Sequence, residues 1–255
     1  MPADTLAVLL AAGPGTRLRP LTQDRPKCLL ELAGRTLLDY QLAALAAHGI
    51  EDVLVVTGHC ADQIVSRYPR RIRTLHNPDY AATNNLHSLW TARHELAGRD
   101  TLCLHTDLLF HPAILRPCLE HPAEVCVALD TELVEETMKA RVENHRVVEI
   151  SKNIPPDKMF ATFPGIARFS PRASALLPAV LDSLVKEEAN RHAYFTACLP
   201  PLTARGCQVG YSLTRALPWI EIDSPADLER AQKETLPSLL PVFAKLPGLP
   251  FGENR

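Results

Sequence analysis

The chain has 255 residues, 46% hydrophobic and 22% charged, which is enough apolar material for one large domain or two small ones. Its 27 lysines and arginines against 29 aspartates and glutamates give a formal net charge of −2, which argues against a nucleic-acid backbone or an anionic membrane as main partner. The seven cysteines form no C-x-x-C pair, so neither a disulfide scaffold nor a structural zinc site is expected and a reducing compartment fits best.

The N-terminus opens Met1-Pro2-Ala3-Asp4, acidic where a signal peptide would be basic. Leu6–Ala11 is a continuous apolar run. It is too short for a bilayer, which needs about 20 residues, and reads as a strand covered on both faces. A soluble, cytoplasmic protein is the expectation. Thr36–His48 has helical apolar spacing and stops at Gly49. Asp52–Thr57, Arg71–His76, Thr101–Thr106 and Glu124–Asp130 repeat the strand pattern, with a helix over Thr83–Leu96. Strands separated by helices mean parallel βαβ units.

The second half changes character. Met138–Glu143 and Arg146–Ser151 flank Asn144-His145, a hairpin turn. Thr162–Phe169, Gln208–Leu213 and Trp219–Ile222 are further extended segments. Pro171–Asn190 and Ala193–Ala204 read as helical. Ser224 and Asp227, with Pro225 between them, form a capping-box-like start to a helix over Ser224–Glu234. The fold expected is α/β: a Rossmann-like, mostly parallel sheet flanked by helices, with antiparallel additions in the second half. Residues 1–235 form one domain. Residues 236–255 hold four prolines and many apolar side chains, and are expected to meander rather than form a helix. Their apolar content predicts packing on the body of the chain or on a second copy in a homodimer.

The segment Leu10-Ala11-Ala12-Gly13-Pro14-Gly15-Thr16-Arg17-Leu18-Arg19-Pro20-Leu21-Thr22, followed by Pro26-Lys27, carries the strongest functional signal. It leaves the first strand where open parallel sheets bind ligands. Gly13 and Gly15 let backbone amides approach phosphate oxygens, Arg17 adds a forked cation, and Lys27 a compact one. A dinucleotide fingerprint would need glycine at Leu18, and a P-loop would need its lysine earlier.

The string L-A-A-G-x-G-T-R-L-x-P-L-T, then P-K, resembles the signature of the nucleotidyltransferases that make nucleoside-diphosphate sugars and related activated alcohols. Asn77-Pro78-Asp79-Tyr80, Thr83 to Leu89, and Met138-Lys139 leading to Arg146–Lys152 look like the phosphocholine and phosphonate cytidylyltransferase branch. The resemblance implies the nucleotide-diphospho-sugar transferase fold and transfer of CMP from CTP to a small phosphorylated or phosphonate acceptor, releasing pyrophosphate (EC 2.7.7 type). Leu10, Ala11, Ala12, Gly13, Gly15 and Thr16 would hold the nucleotide, with Arg17 and Lys27 catalytic. Asn84 and Asn85, at a helix start, either cap that helix or read a pyrimidine.

Such chemistry needs a divalent cation, and magnesium is expected. Asp107 follows a strand at the sheet edge of the glycine loop, and Asp223 follows another strand. By resemblance they are the metal ligands, although a carboxylate after a strand also serves as a turn former or helix cap. Glu221 shares a face with Asp223 and is a further candidate. His105 and His111 flank Asp107 without metal-ligand spacing, and His105 reads as an ordinary strand residue.

For the acceptor, Tyr194 and Phe195 match the aromatic part of a segment that holds ammonium in phosphocholine enzymes. The acidic residue expected beside them is missing. Lys139 and Lys152 are candidates for the anionic end, with surface lysines the alternative. Trp219 is either an acceptor wall or core. Two alternatives remain: a sugar-1-phosphate nucleotidylyltransferase using another nucleotide, and a nucleotide-binding regulator without turnover.

Overall fold

The computed structural model describes residues 5–134 and 137–246. Its centre is a seven-stranded sheet in the order Val209–Leu213, Val125–Leu129, Ile166–Phe169, Thr101–His105, Leu6–Ala11, Val53–Thr57, Arg73–His76. Six strands are parallel. Ile166–Phe169 runs antiparallel between Thr101–His105 and Val125–Leu129. The first strand is central, pairing with Val53–Thr57 on one side and Thr101–His105 on the other.

Its six residues are all buried because successive side chains leave opposite faces. Ala7, Leu9 and Ala11 enter one core, which the helix Leu37–Ala46 covers. Leu6, Val8 and Leu10 enter the other, under the helices Asn85–Thr91 and Pro171–Leu184. Among the described residues, no helix is long and apolar enough to cross a membrane.

Antiparallel additions occupy the second half. Arg146–Ser151, Met138–Glu143 and Ala161–Phe163 form a three-stranded sheet. Asn144 and His145 both have positive φ, as a two-residue hairpin turn of this twist requires. The segment expected as one strand over Thr162–Phe169 is two strands in different sheets, because Gly165, at φ 92°, breaks it. A short strand, Leu108–Phe110, which the sequence did not reveal, pairs with Trp219–Glu221. That pairing brings the segment after Asp107 beside the one before Asp223.

Residues 236–243 form a helix rather than a meander. Pro237 occupies the first turn, where no amide donor is needed, and Pro241 lies on the exposed side. Leu236, Leu239 and Phe243 are buried in the core, and the Phe243 ring meets that of Tyr40 edge-on at 4.9 Å. The expectation of packing on the body of the same chain is met over this stretch. Leu249, Phe251 and the rest of the terminal segment lie outside the described residues.

Candidate active site

The C-terminal ends of the central strands open into a cavity of about 370 Å³. Leu10, Ala11, Ala12, Gly13, Gly15, Thr16 and Arg17 form one wall. Thr106 Oγ1 donates to Leu10 O at 3.1 Å, and the His59 amide donates to Ala12 O at 3.1 Å. Gly58 permits that second contact, since a Cβ there would lie 2.6 Å from Ala12 O and from Tyr80 Cγ. Gly15 adopts φ 58° and starts a single helical turn at Thr16–Leu18. Its carbonyl accepts from Thr22 Oγ1 at 2.7 Å. A Cβ on Gly13 would meet nothing within 4 Å, so its backbone faces open space.

Lys27, Asp107 and Asp223 converge on the floor. Lys27 lies in a short turn after the loop, Asp107 follows Thr101–His105, and Asp223 follows Trp219–Glu221. Lys27 Nζ donates to Asp107 Oδ2 at 2.8 Å and also to Asp223 Oδ1. Arg17 reaches across to the other oxygen of Asp223. Burial disfavours the Lys27 charge, but the two carboxylates more than offset this and its pKa is raised. Burial likewise works against the Asp107 carboxylate, and Lys27 and His105 outweigh it, so its pKa is lowered.

Glu221 also lines the cavity while its neighbour Ile222 is buried in the core, as the strand alternation requires. Burial, then the nearby Asp107 and Asp223 charges, push Glu221 up to about 8. Asp107 Oδ1 is buried without a hydrogen-bond partner. Donor atoms of His105, Asp107 and Glu221 lie within 4.8 Å of one another. An orphaned carboxylate oxygen beside a second carboxylate that resists ionisation is a donor set suited to a hard divalent cation.

Asn84 and Asn85 line the cavity, and their amides also make hydrogen bonds within the protein. Asn84 is the N-cap residue, with Nδ2 donating to His192 O at 3.2 Å. Asn85 Oδ1 accepts from the Phe195 amide at 2.6 Å, which fixes Asn85 Nδ2 on His105 Nε2 at 3.0 Å. Asn85 thereby ties the helix start to the turn Phe195–Cys198 and orients His105.

His105 is a wall residue that spacing rules missed, because its role depends on Asp107 and Asn85 meeting it in space. Its pKa is lowered by burial. Asn77, Tyr80 and Ser88 also line the cavity, and Asn77 Nδ2 donates to Ser88 Oγ at 3.2 Å.

The acceptor candidates divide. Lys152 and Tyr194 line the cavity, with Lys152 Nζ 5.6 Å from the Tyr194 ring centroid. Lys139 does not: it is buried, and its Nζ is held by Val134 O and by Thr137 O and Oγ1, both at 3.0 Å. Trp219 shares a strand face with Glu221 but is held outside this cavity, its Nε1 donating at 2.6 Å to Asp130 Oδ2, which also accepts from Thr214 Oγ1. It lines an adjacent cavity instead.

Comparison with known proteins agrees with this geometry. The chain is 25% identical over 252 residues to the CTP:phosphoglutamine cytidylyltransferase of Campylobacter jejuni, covering 88% of this chain and 97% of that protein. It is 29% identical over 249 residues to the CMP-5'-(3-aminopropyl)phosphonate synthase of Streptomyces rubellomurinus, covering 88% of this chain and 38% of that one. The CTP:phosphocholine cytidylyltransferase of Streptococcus pneumoniae shares the fold, with a TM-score of 0.74 at 22% identity over 90% of this chain and 98% of that one. The pattern of the MobA-like NTP transferase domain matches residues 7–153, more than half the chain. With the glycine loop, Lys27 and the paired aspartates at one sheet edge, the chain belongs to the MobA-like NTP transferase family and is a nucleotidyltransferase.

Proposed function

We propose that the protein transfers CMP from CTP to a small phosphorylated or phosphonate acceptor, with magnesium, and releases pyrophosphate. The observation that carries this reading is the bridge of Lys27 Nζ between Asp107 and Asp223 beside the glycine loop. One relative named for CTP and phosphoglutamine, and another named for a CMP-linked aminopropylphosphonate, support the nucleotide and the acceptor class.

The loop amides of Gly13, Gly15 and Thr16 and the Arg17 guanidinium hold the β- and γ-phosphates. Asp107 and Asp223, with Glu221 beside them, would hold magnesium, which when bound neutralises triphosphate charge and the charge that develops on leaving pyrophosphate. Lys27, placed between the two aspartates, would stabilise the transition-state charge at the α-phosphate.

An acceptor phosphate or phosphonate oxygen attacks the α-phosphorus in line. A new P–O bond forms as the bond from the α-phosphorus to the bridging oxygen breaks, and pyrophosphate leaves with the electron pair. The attacking oxygen is anionic near neutral pH, so no strong general base is required. Positioning and charge neutralisation account for the catalysis.

The test is pyrophosphate release with each of the four nucleoside triphosphates across a panel of phosphate and phosphonate acceptors, with magnesium and with excess chelator. CTP-dependent, acceptor-dependent release that chelator abolishes is expected. Release with UTP or another nucleotide and a sugar 1-phosphate alone would replace the reading.

A further inference from the structure

A second cavity, of about 420 Å³, opens beside the active one. Met138, Lys152 and Tyr194 belong to both walls, so the two adjoin. Beyond that junction the lining is largely apolar, with Val147, Val148, Ile150, Ala197, Leu199 and Pro200. The strand Arg146–Ser151 supplies one side. Its pairing shifts register between Val147 and Glu149, a bulge that breaks alternation, and both Val147 and Val148 line the cavity. The turn Phe195–Cys198 and the start of the helix Leu199–Ala204 supply the other.

Among the described lining residues the only carboxylate is Glu149, and it already pairs with Arg141 at 3.2 Å. An ammonium group entering here would lose water and meet no uncommitted anion, which is costly. An alkyl group would gain by leaving water. Lys152 stands at the junction, exposed and next to the Tyr194 ring, with its charge available to an anion passing between the cavities.

We infer that this cavity seats an uncharged, apolar organic end of the acceptor, whose phosphate or phosphonate lies at Lys152 facing the nucleotide. The inference rests on the acceptor being a phosphate or phosphonate, as proposed above, and it separates this protein from enzymes whose acceptor carries an ammonium.

The test is calorimetric binding of butylphosphonate, 2-hydroxyethylphosphonate and phosphocholine, with magnesium, both with and without the α,β-methylene analogue of CTP. Butylphosphonate is expected to bind at least about tenfold more tightly than either of the others. Ala197→Phe, which fills the cavity, should remove that advantage and leave 2-hydroxyethylphosphonate within about twofold. Val148→Asp, at an exposed position that leaves folding intact, should reverse the preference towards phosphocholine. Equal affinities, or tighter binding of phosphocholine by the unaltered protein, would overturn the inference. Pyrophosphate release is followed separately, so a binding preference without CTP turnover would sink the proposed reaction and leave the cavity's selectivity standing.

Discussion

Lys27 Nζ and Asp107 Oδ2 lie 2.8 Å apart although 80 residues separate them in the chain. The contact joins the loop after the first strand to the end of Thr101–His105, which is hydrogen-bonded to that strand. Sheet topology thus delivers a cation and an anion to one point. Lys27→Ala and Asp107→Ala are each expected to lower turnover at least about 100-fold, about 2.7 kcal/mol, with circular dichroism unchanged. Near-normal turnover in either variant would remove that residue from the mechanism.

The raised pKa of Glu221 predicts a pH dependence of stability in the chelator-treated protein. The folded state holds this proton more tightly than the unfolded chain, whose carboxyl titrates near 4.5. The stabilisation is therefore fully present below that value and is lost as pH rises through about 8. His105 and His111, whose pKa values partial burial lowers, act in the opposite sense, so the readout is the difference between the unaltered protein and Glu221→Gln. The melting temperature of Glu221→Gln relative to the unaltered protein should rise from pH 5 to pH 8, and added magnesium should shrink the gain. A flat difference would show that Glu221 ionises freely.

Much of this was legible in the sequence, because the features that specify it are local. The apolar run Leu6–Ala11 and the glycines after it announce a buried strand and a phosphate-sized turn. Ser224, Pro225 and Asp227 announce a capped helix, and the structure has the reciprocal capping bonds. What escaped depends on contacts between distant segments. The antiparallel strand Ile166–Phe169 takes its place from pairing with Thr101–His105 and Val125–Leu129, and at its start Gly165 packs on His105, where a Cβ would lie 2.4 Å from Nδ1. Lys139 looked available, but its partners on the preceding turn have no signature of their own. His105 gained its place from Asn85, 20 residues earlier.

The amide of Asn85 is engaged at both ends, so its loss should register in stability before it registers in base choice. Asn85→Ala removes the acceptor of the Phe195 amide and the donor to His105. Chemical denaturation should show a loss of about 1–3 kcal/mol. The ratio of kcat/KM for CTP over UTP should stay within about threefold of its original value. A tenfold fall in that ratio would return Asn85 to base recognition.

The helix Leu236–Phe243 is part of the core. Phe243→Ala removes a ring that is 1% exposed and packed on Tyr40, and is expected to cost about 3–5 kcal/mol. Truncation after Thr235 should lower the melting temperature further. Unchanged denaturation midpoints for both would place this helix outside the cooperative unit.

The most direct measurement of the central claim is phosphorus NMR of the protein incubated with CTP, magnesium and an acceptor phosphonate. Nucleotidyl transfer predicts a new pair of coupled resonances from the mixed phosphonate–phosphate anhydride, together with free pyrophosphate in equal amount. CTP consumed to CDP and inorganic phosphate, with no such coupled pair, would contradict it.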